Sequence, residues 1–320
     1  MIRRRLVSIP AIVVAFIAVG ASLPLLFALA LFVDLVRREK LLTTTRLTAF
    51  AFCYLAIECG GLVRLAWVGL STRRDSPERR AGTYAAQRFF TGALLAAVSA
   101  LFSLRFRVEG DELVAPGPLL VLVRHASLVD VLVPAGFIAN RHALELHYVL
   151  KRELLVDPCL DVAGHWIPNH FVDRSGTQTA AELAAIAGLK QGVGERQGVI
   201  LYPEGTRFSH DRREAVLKKL EGRARARAEE LRHLLPLQRG GVLTLLSTEP
   251  RTDLLFVGHH GLEGLTRLAD IWRGKMVGRT VTIRFWREPF TAVPEGDEAR
   301  LEWLHERWRR VDDWLAGFPA

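Results

Sequence analysis

His125 and Asp130 lie five residues apart, directly after the apolar run Pro118–Val123. An imidazole whose Nδ1 proton is accepted by a carboxylate keeps Nε2 free to act as a base toward an alcohol. On one helix, a five-residue spacing sets two side chains about 140° apart, so they cannot share a face. They meet only if the chain turns between them, with His125 on a loop and Asp130 in the first helical turn. The same segment also reads as a plain helix start. Ser127-x-x-Asp130 is a capping-box pattern, in which the acid at the third position does no chemistry.

A second group of residues follows the apolar stretch Val199-Ile200-Leu201: Tyr202-Pro203-Glu204-Gly205-Thr206-Arg207. Pro203 ends a strand ladder, and Gly205 lets the backbone approach a ligand. Thr206 and Arg207 supply hydroxyl and guanidinium donors. A third group, Phe171-Val172-Asp173-Arg174, puts another arginine after a short extended piece. Two arginines on separate loops beside a histidine suit a phosphate-bearing substrate held for proton removal. Taken singly, each arginine also reads as a surface ion pair with Asp173 or Glu204.

Other chemistries find less support. Gly192-x-Gly194-x-x-x-Gly198 misses the dinucleotide-loop spacing and precedes a strand instead of following one. A Walker loop and a Gly-x-Ser-x-Gly elbow are both missing from the sequence. Three cysteines, with no Cys-x-x-Cys pair, exclude a disulfide scaffold and a thiolate zinc site, and Cys159 reads as structural. His259-His260 has no evident partner, so packing or solvent is its expected role.

These groups need strands to deliver them. Extended runs are expected at 106–110, 118–123, 146–150, 171–172, 199–202, 254–258 and 281–286. Helices are expected at 129–140, 177–190, 212–235 and 299–315; the longest rests on Leu217, Leu220, Ala224, Ala228, Leu231 and Leu235 at three-and-four spacing. Strands alternating with helices predict a three-layer α/β domain over 105–320, with its site where strands end.

The first 104 residues differ in kind. Ala11–Val33 carries no charge over 23 residues, long enough to span a hydrocarbon core of about 30 Å. It is longer than a signal-peptide core, and no small-residue cleavage site leads into a polar start, so an anchor is expected. Leu47–Leu70 is a second span with Glu58 and Arg64 inside it; Glu58 is expected to pair within the helical hairpin and Arg64 to snorkel. Phe89–Leu104 is short for a crossing and reads as an interfacial helix. Arg3, Arg4 and Arg5 precede the first span, and Arg73, Arg74, Arg79 and Arg80 follow the second. Together they outnumber Arg37, Arg38, Lys40 and Arg46 between the spans, which predicts a catalytic domain on the cytoplasmic face of an integral membrane protein. The excess of 43 basic over 34 acidic residues suits phosphate-bearing partners. In the Arg-rich stretch 212–232 the interleaved acids Glu214, Glu221, Glu229 and Glu230 argue against nucleic acid.

In this order the three groups resemble the motifs of the glycerolipid acyltransferase family, the glycerol-phosphate and lysophosphatidic acid acyltransferases. His125-x-x-x-x-Asp130 looks like the first motif and Phe171–Arg174 like the tail of the second. Tyr202–Arg207 is similar to the third, where Phe-Pro-Glu-Gly-Thr-Arg is common, and Leu234-Leu235-Pro236 resembles the fourth. The resemblance covers about 105–290. Arg124 stands where the family often has Asn, Pro168 where it often has Gly, and Leu237-Gln238 interrupts the fourth motif.

The resemblance implies an acyl thioester donor, either acyl-CoA or acyl carrier protein, and a lysophospholipid acceptor such as 1-acylglycerol-3-phosphate, giving phosphatidic acid. It implies His125 as base, Asp130 as its orienting carboxylate, and Arg174 and Arg207 on the acceptor phosphate. Glu204, Gly205 and Thr206 would shape that pocket, with no metal or further cofactor. The altered motifs leave a second reading open, an inactive lipid-binding or scaffold protein of the same fold.

Overall fold

The computed structural model describes residues 2–172 and 179–318. Its elements are α1 (Ile2–Val36), α2 (Thr43–Ser71), α3 (Pro77–Phe102), β1 (Arg105–Glu109), β2 (Leu119–Val123) and α4 (Leu132–Pro134), which continues as a π-helix over Ala135–Asn140. Then come β3 (Glu145–Lys151), α5 (Pro158–Gly164), β4 (Asn169–Val172), α6 (Ala180–Gly188), β5 (Gln197–Leu201), α7 (His210–Leu217) and α8 (Gly222–Glu230). The chain ends with α9 (Arg239–Ser247), β6 (Asp253–His260), α10 (Leu268–Trp272), β7 (Thr280–Glu288) and α11 (Asp297–Ala316). Two compact units result. The first joins 1–105 with 150–173 and 267–279; the second holds 106–149, 174–266 and 280–320.

In the first unit α1, α2 and α3 are 35, 29 and 26 residues long, each long and apolar enough to cross a membrane. The third helix is longer than the run 89–104 suggested. It begins at Pro77 because Ser76 caps it, its hydroxyl accepting from the Arg79 N–H at 3.2 Å, and proline suits the first helical position. Large apolar side chains such as Leu6, Val14, Ile17, Leu25 and Phe32 stand exposed along α1.

Several charged groups in this unit have partners within it. Arg4 and Arg5 reach the Asp161 carboxylate at 2.6 and 3.1 Å. Glu58 is fully buried, and its partner lies outside the hairpin, contrary to expectation. It accepts from the backbone N–H of Cys159 at 2.8 Å, while the Cys159 thiol donates to the Glu58 carbonyl at 3.2 Å. A carboxylate fits there because the first N–H groups of α5 have no intrahelical acceptor. Arg64 bends back over the Phe89 ring, 3.5 Å from its centroid.

In the second unit the strands run in the order β1-β7-β6-β2-β5-β3. β2 is parallel to both neighbours, with Leu122 level with Leu201 of β5 and Phe256 of β6, and β3 is parallel to β5; β7 is antiparallel to β6. All five residues of β2 are buried, as a central parallel strand covered on both faces requires. Leu120, Leu122 and Phe256 face a core with Val242 and Leu245 of α9 and Leu304 and Trp308 of α11. On the π-helix, Phe137 packs against Phe106 of β1 at 5.0 Å.

Two expected helices differ. The run 212–235 is two helices, because Glu221 is extended and Gly222 takes a left-handed φ of 53°. The run 129–140 becomes the three-residue α4 and a π-helix; Arg141 N–H bonds the Gly136 carbonyl five residues back, after Pro134.

Candidate active site

The register of β5, β2 and β6 arranges the site. Three residues beyond the level row Leu201, Leu122 and Phe256 come Glu204, His125 and His259. All three side chains sit at the carboxyl ends of adjacent parallel strands, where open α/β sheets place their sites.

His125 and Asp130 meet. The Nδ1 atom lies 3.1 and 3.2 Å from the two Asp130 oxygens, and the His125 side chain keeps 15% exposure while Asp130 is fully buried. The chain turns between them as the spacing required. Asp130 Oδ2 also accepts from the N–H groups of Ala126 at 2.6 Å and Ser127 at 2.8 Å, and Ser127 Oγ accepts from Asp130 N–H at 3.0 Å. Thus the helix-start reading and the imidazole contact, alternatives in the sequence, coexist in one carboxylate. Burial works to raise the Asp130 carboxyl, but hydrogen bonding and charge attraction from His125 and His259 prevail and hold it well below the ordinary carboxylate range.

Glu204 is 1% exposed, and both its oxygens are taken: Oε1 accepts from His125 N–H at 2.7 Å and Oε2 from Leu235 N–H at 2.8 Å. It therefore joins the three segments that hold His125, Tyr202–Arg207 and Leu234-Leu235-Pro236. Burial pushes its carboxyl up to about 8, against the two N–H bonds and the charge of Arg124. Gly205 is exposed at φ 68°, closing a turn in which its N–H bonds the Tyr202 carbonyl at 3.0 Å. Thr206 and Arg207 are half-buried, and Arg207 Nη1 donates to the Thr266 carbonyl at 3.0 Å. The Tyr202 ring sits 4.7 Å from the His125 ring. Arg174 lies outside the described residues.

Sequence reasoning missed the residues behind Asp130. His259, expected to have no partner, is fully buried with Nε2 3.2 Å from the Arg124 carbonyl and 3.6 Å from Asp130 Oδ2. Arg124, 1% exposed, donates to the Glu263 carboxylate and to the carbonyl oxygens of His259 and His233. Burial opposes ionisation of Glu263, yet the Arg124 charge and hydrogen bond bring its carboxyl down to about 2. Only the strand register reveals His259, whereas Arg124 was visible as an unusual neighbour of the histidine. Among the described residues no cluster of three or more histidine, cysteine or acidic side chains is arranged to hold a metal ion.

The site thus pairs a partly exposed histidine with a buried carboxylate at the strand ends of a parallel sheet. Residues 105–243 match the family model described as Acyltransferase. The chain's fold is also similar to the crystal structure of the 1-acyl-sn-glycerophosphate (LPA) acyltransferase PlsC from Thermotoga maritima. That similarity has a TM-score of 0.54 at 16% identity and covers 84% of this chain and 98% of that one. No curated protein matches the chain. The site is that of an acyltransferase. Residues 105–243 are thus an acyltransferase domain, carried on a fold similar to that of PlsC.

Proposed function

We propose that the protein transfers a fatty acyl group from an acyl thioester, acyl-CoA or acyl carrier protein, to the free hydroxyl of 1-acylglycerol-3-phosphate, giving phosphatidic acid. The observation that carries this reading is the His125 Nδ1–Asp130 contact at 3.1 Å, which leaves Nε2 as the one ring nitrogen free to accept a proton.

In the proposed step Nε2 takes the hydroxyl proton as the alkoxide oxygen attacks the thioester carbonyl. Asp130 holds the Nδ1–H tautomer and balances the imidazolium charge that results. Collapse of the tetrahedral intermediate expels the thiolate, which takes the proton back from Nε2. Arg207 and Arg174 hold the acceptor phosphate by charge-assisted hydrogen bonds, beside the Thr206 hydroxyl in a pocket that Gly205 shapes. Glu204 contributes by fixing the backbone that carries His125.

The apolar helices support a membrane-bound enzyme that meets its lipid in the bilayer: α1 and α2 insert, and the exposed Arg73, Arg74 and Arg80 mark the cytoplasmic face. Purified protein in nanodiscs, given labelled acyl-CoA and a panel of lysolipids, tests this directly. Phosphatidic acid is the expected product, and His125→Ala should slow its formation by about a hundredfold or more. A folded sample that acylates no acceptor would favour a lipid-binding role instead.

A further inference from the structure

His259 reaches the same carboxylate that His125 uses. Its Nε2 faces two acceptors, the Arg124 carbonyl at 3.2 Å and Asp130 Oδ2 at 3.6 Å, so Nε2 must carry the hydrogen. The nearer atom takes the hydrogen bond. At 3.6 Å the carboxylate receives the positive end of the N–H dipole instead of a full bond. Nδ1 of His259 is buried with no hydrogen-bond partner among the described residues, as the neutral Nε2–H form requires. The ring's place is fixed from behind. Arg124 donates to the His259 carbonyl and is itself held by Glu263, whose other oxygen accepts from Gly261 N–H at 2.7 Å.

We infer that His259 is a positioning residue for the acyl-transfer base, its Nε2–H facing the second oxygen of Asp130 so that the carboxylate stays aligned on His125. This rests on the reading of His125 as the base. With two backbone N–H groups and one imidazole N–H around it, Asp130 has no freedom to turn its plane away from Nδ1. The same dipole draws part of the carboxylate's charge away from His125. Removing it leaves more negative charge on the His125 side, which holds the imidazolium proton more tightly. The charged and titratable groups around His125 are Asp130 on its own segment, Arg124 beside it, Tyr202 and Glu204 after β5, Tyr148 on β3 behind Tyr202, and His259 and Glu263 at the end of β6. Of these, His259 alone meets Asp130 from the far side.

Full-length protein in nanodiscs provides the test, with pH profiles of kcat and kcat/KM for His259→Leu, His259→Asn and His259→Gln. Glutamine carries its amide N–H where Nε2 stands, while asparagine places it short of Asp130. His259→Leu and His259→Asn are expected to lower kcat about tenfold at unchanged KM, and to move the acid limb of kcat/KM up by about half to one pH unit. His259→Gln should restore both. If the leucine variant does not fold, the asparagine variant carries the same comparison. Folded variants that keep the wild-type acid limb, whatever their kcat, overturn the inference. His125→Ala separates the two claims: activity surviving in that variant removes the base itself, whereas an inactive His125→Ala beside unaltered His259 profiles removes only the positioning role.

Discussion

Glu204 Oε1 accepts from the backbone N–H of His125 at 2.7 Å, and its other oxygen accepts from Leu235 N–H at 2.8 Å. The glutamate therefore acts on His125 through its main chain. Its carboxyl, raised by burial from 4.5 to about 8, keeps a proton in the folded state that the unfolded chain releases near pH 4.5. The folded state thus binds more protons across this window, and stability falls as pH rises from about 5 to 8, by at most roughly 4 kcal/mol. Thermal unfolding in detergent should show Tm declining over that range. Glu204→Gln should flatten the decline; an unchanged slope would mean that Glu204 is ionised throughout.

His125→Ala should reduce acyl transfer by about 10²- to 10⁴-fold, the range general-base catalysis is worth, and lower Tm as well, because the buried Asp130 carboxylate loses a partner. Asp130→Asn should lose both activity and stability. An amide cannot accept from Ala126 and Ser127 while also accepting from Nδ1 without presenting N–H to N–H. Ser127→Ala removes only the cap on Val129 and Asp130, costing about 1 kcal/mol while leaving turnover near wild type. Steady-state kinetics beside calorimetry distinguishes the three. A Ser127→Ala enzyme as inactive as Asp130→Asn would make the carboxylate a helix cap and nothing more.

The strands were legible because their centres are continuous apolar runs, Leu119–Val123 in β2, Val199–Leu201 in β5 and Leu254–Val257 in β6. The His125–Asp130 pair was legible because five residues fit a loop-to-helix turn. His259 was not, since its approach to Asp130 depends on β6 lying beside β2 in one register, a long-range property no local spacing encodes. Glu58 misled for a related reason: its acceptor oxygen serves Cys159, 101 residues away, and not a cation in its own hairpin. The break at Gly222 was missed because the leucine and alanine stripe continues through it at helical spacing, and a positive φ leaves no trace in periodicity.

Lys190 is 1% exposed, and its ammonium donates to the Leu245 carbonyl at 2.7 Å, in the last turns of α9 where such oxygens lack helical partners. Burial brings its amine down to about 8 from 10.5. Between those values the unfolded chain holds the proton that the folded one has lost, so stability rises with pH there. Lys190→Met should remove this alkaline gain and leave Tm flat from pH 8 to 10. A gain that persists in the variant assigns it to another group.

Gly61 sits on α2 where a Cβ would lie 2.7 Å from Cys159 Sγ and 3.3 Å from Phe90. Alanine is the better helix former by about 1 kcal/mol, which alone would make Gly61→Ala stabilising. The contact opposes it. Sγ is buried and donates to the Glu58 carbonyl, so it moves only by giving up that bond or by shifting α5. Overpacking of this kind costs about 1–3 kcal/mol, and the net effect is a loss. Replacing Cys159 by alanine deletes the obstructing atom. The double variant Gly61→Ala/Cys159→Ala should therefore be more stable than the sum of the single changes allows, by about 1 kcal/mol or more. Denaturant titration of the four proteins in one detergent measures this coupling. Strict additivity would mean that α5 does not close on α2 at Gly61.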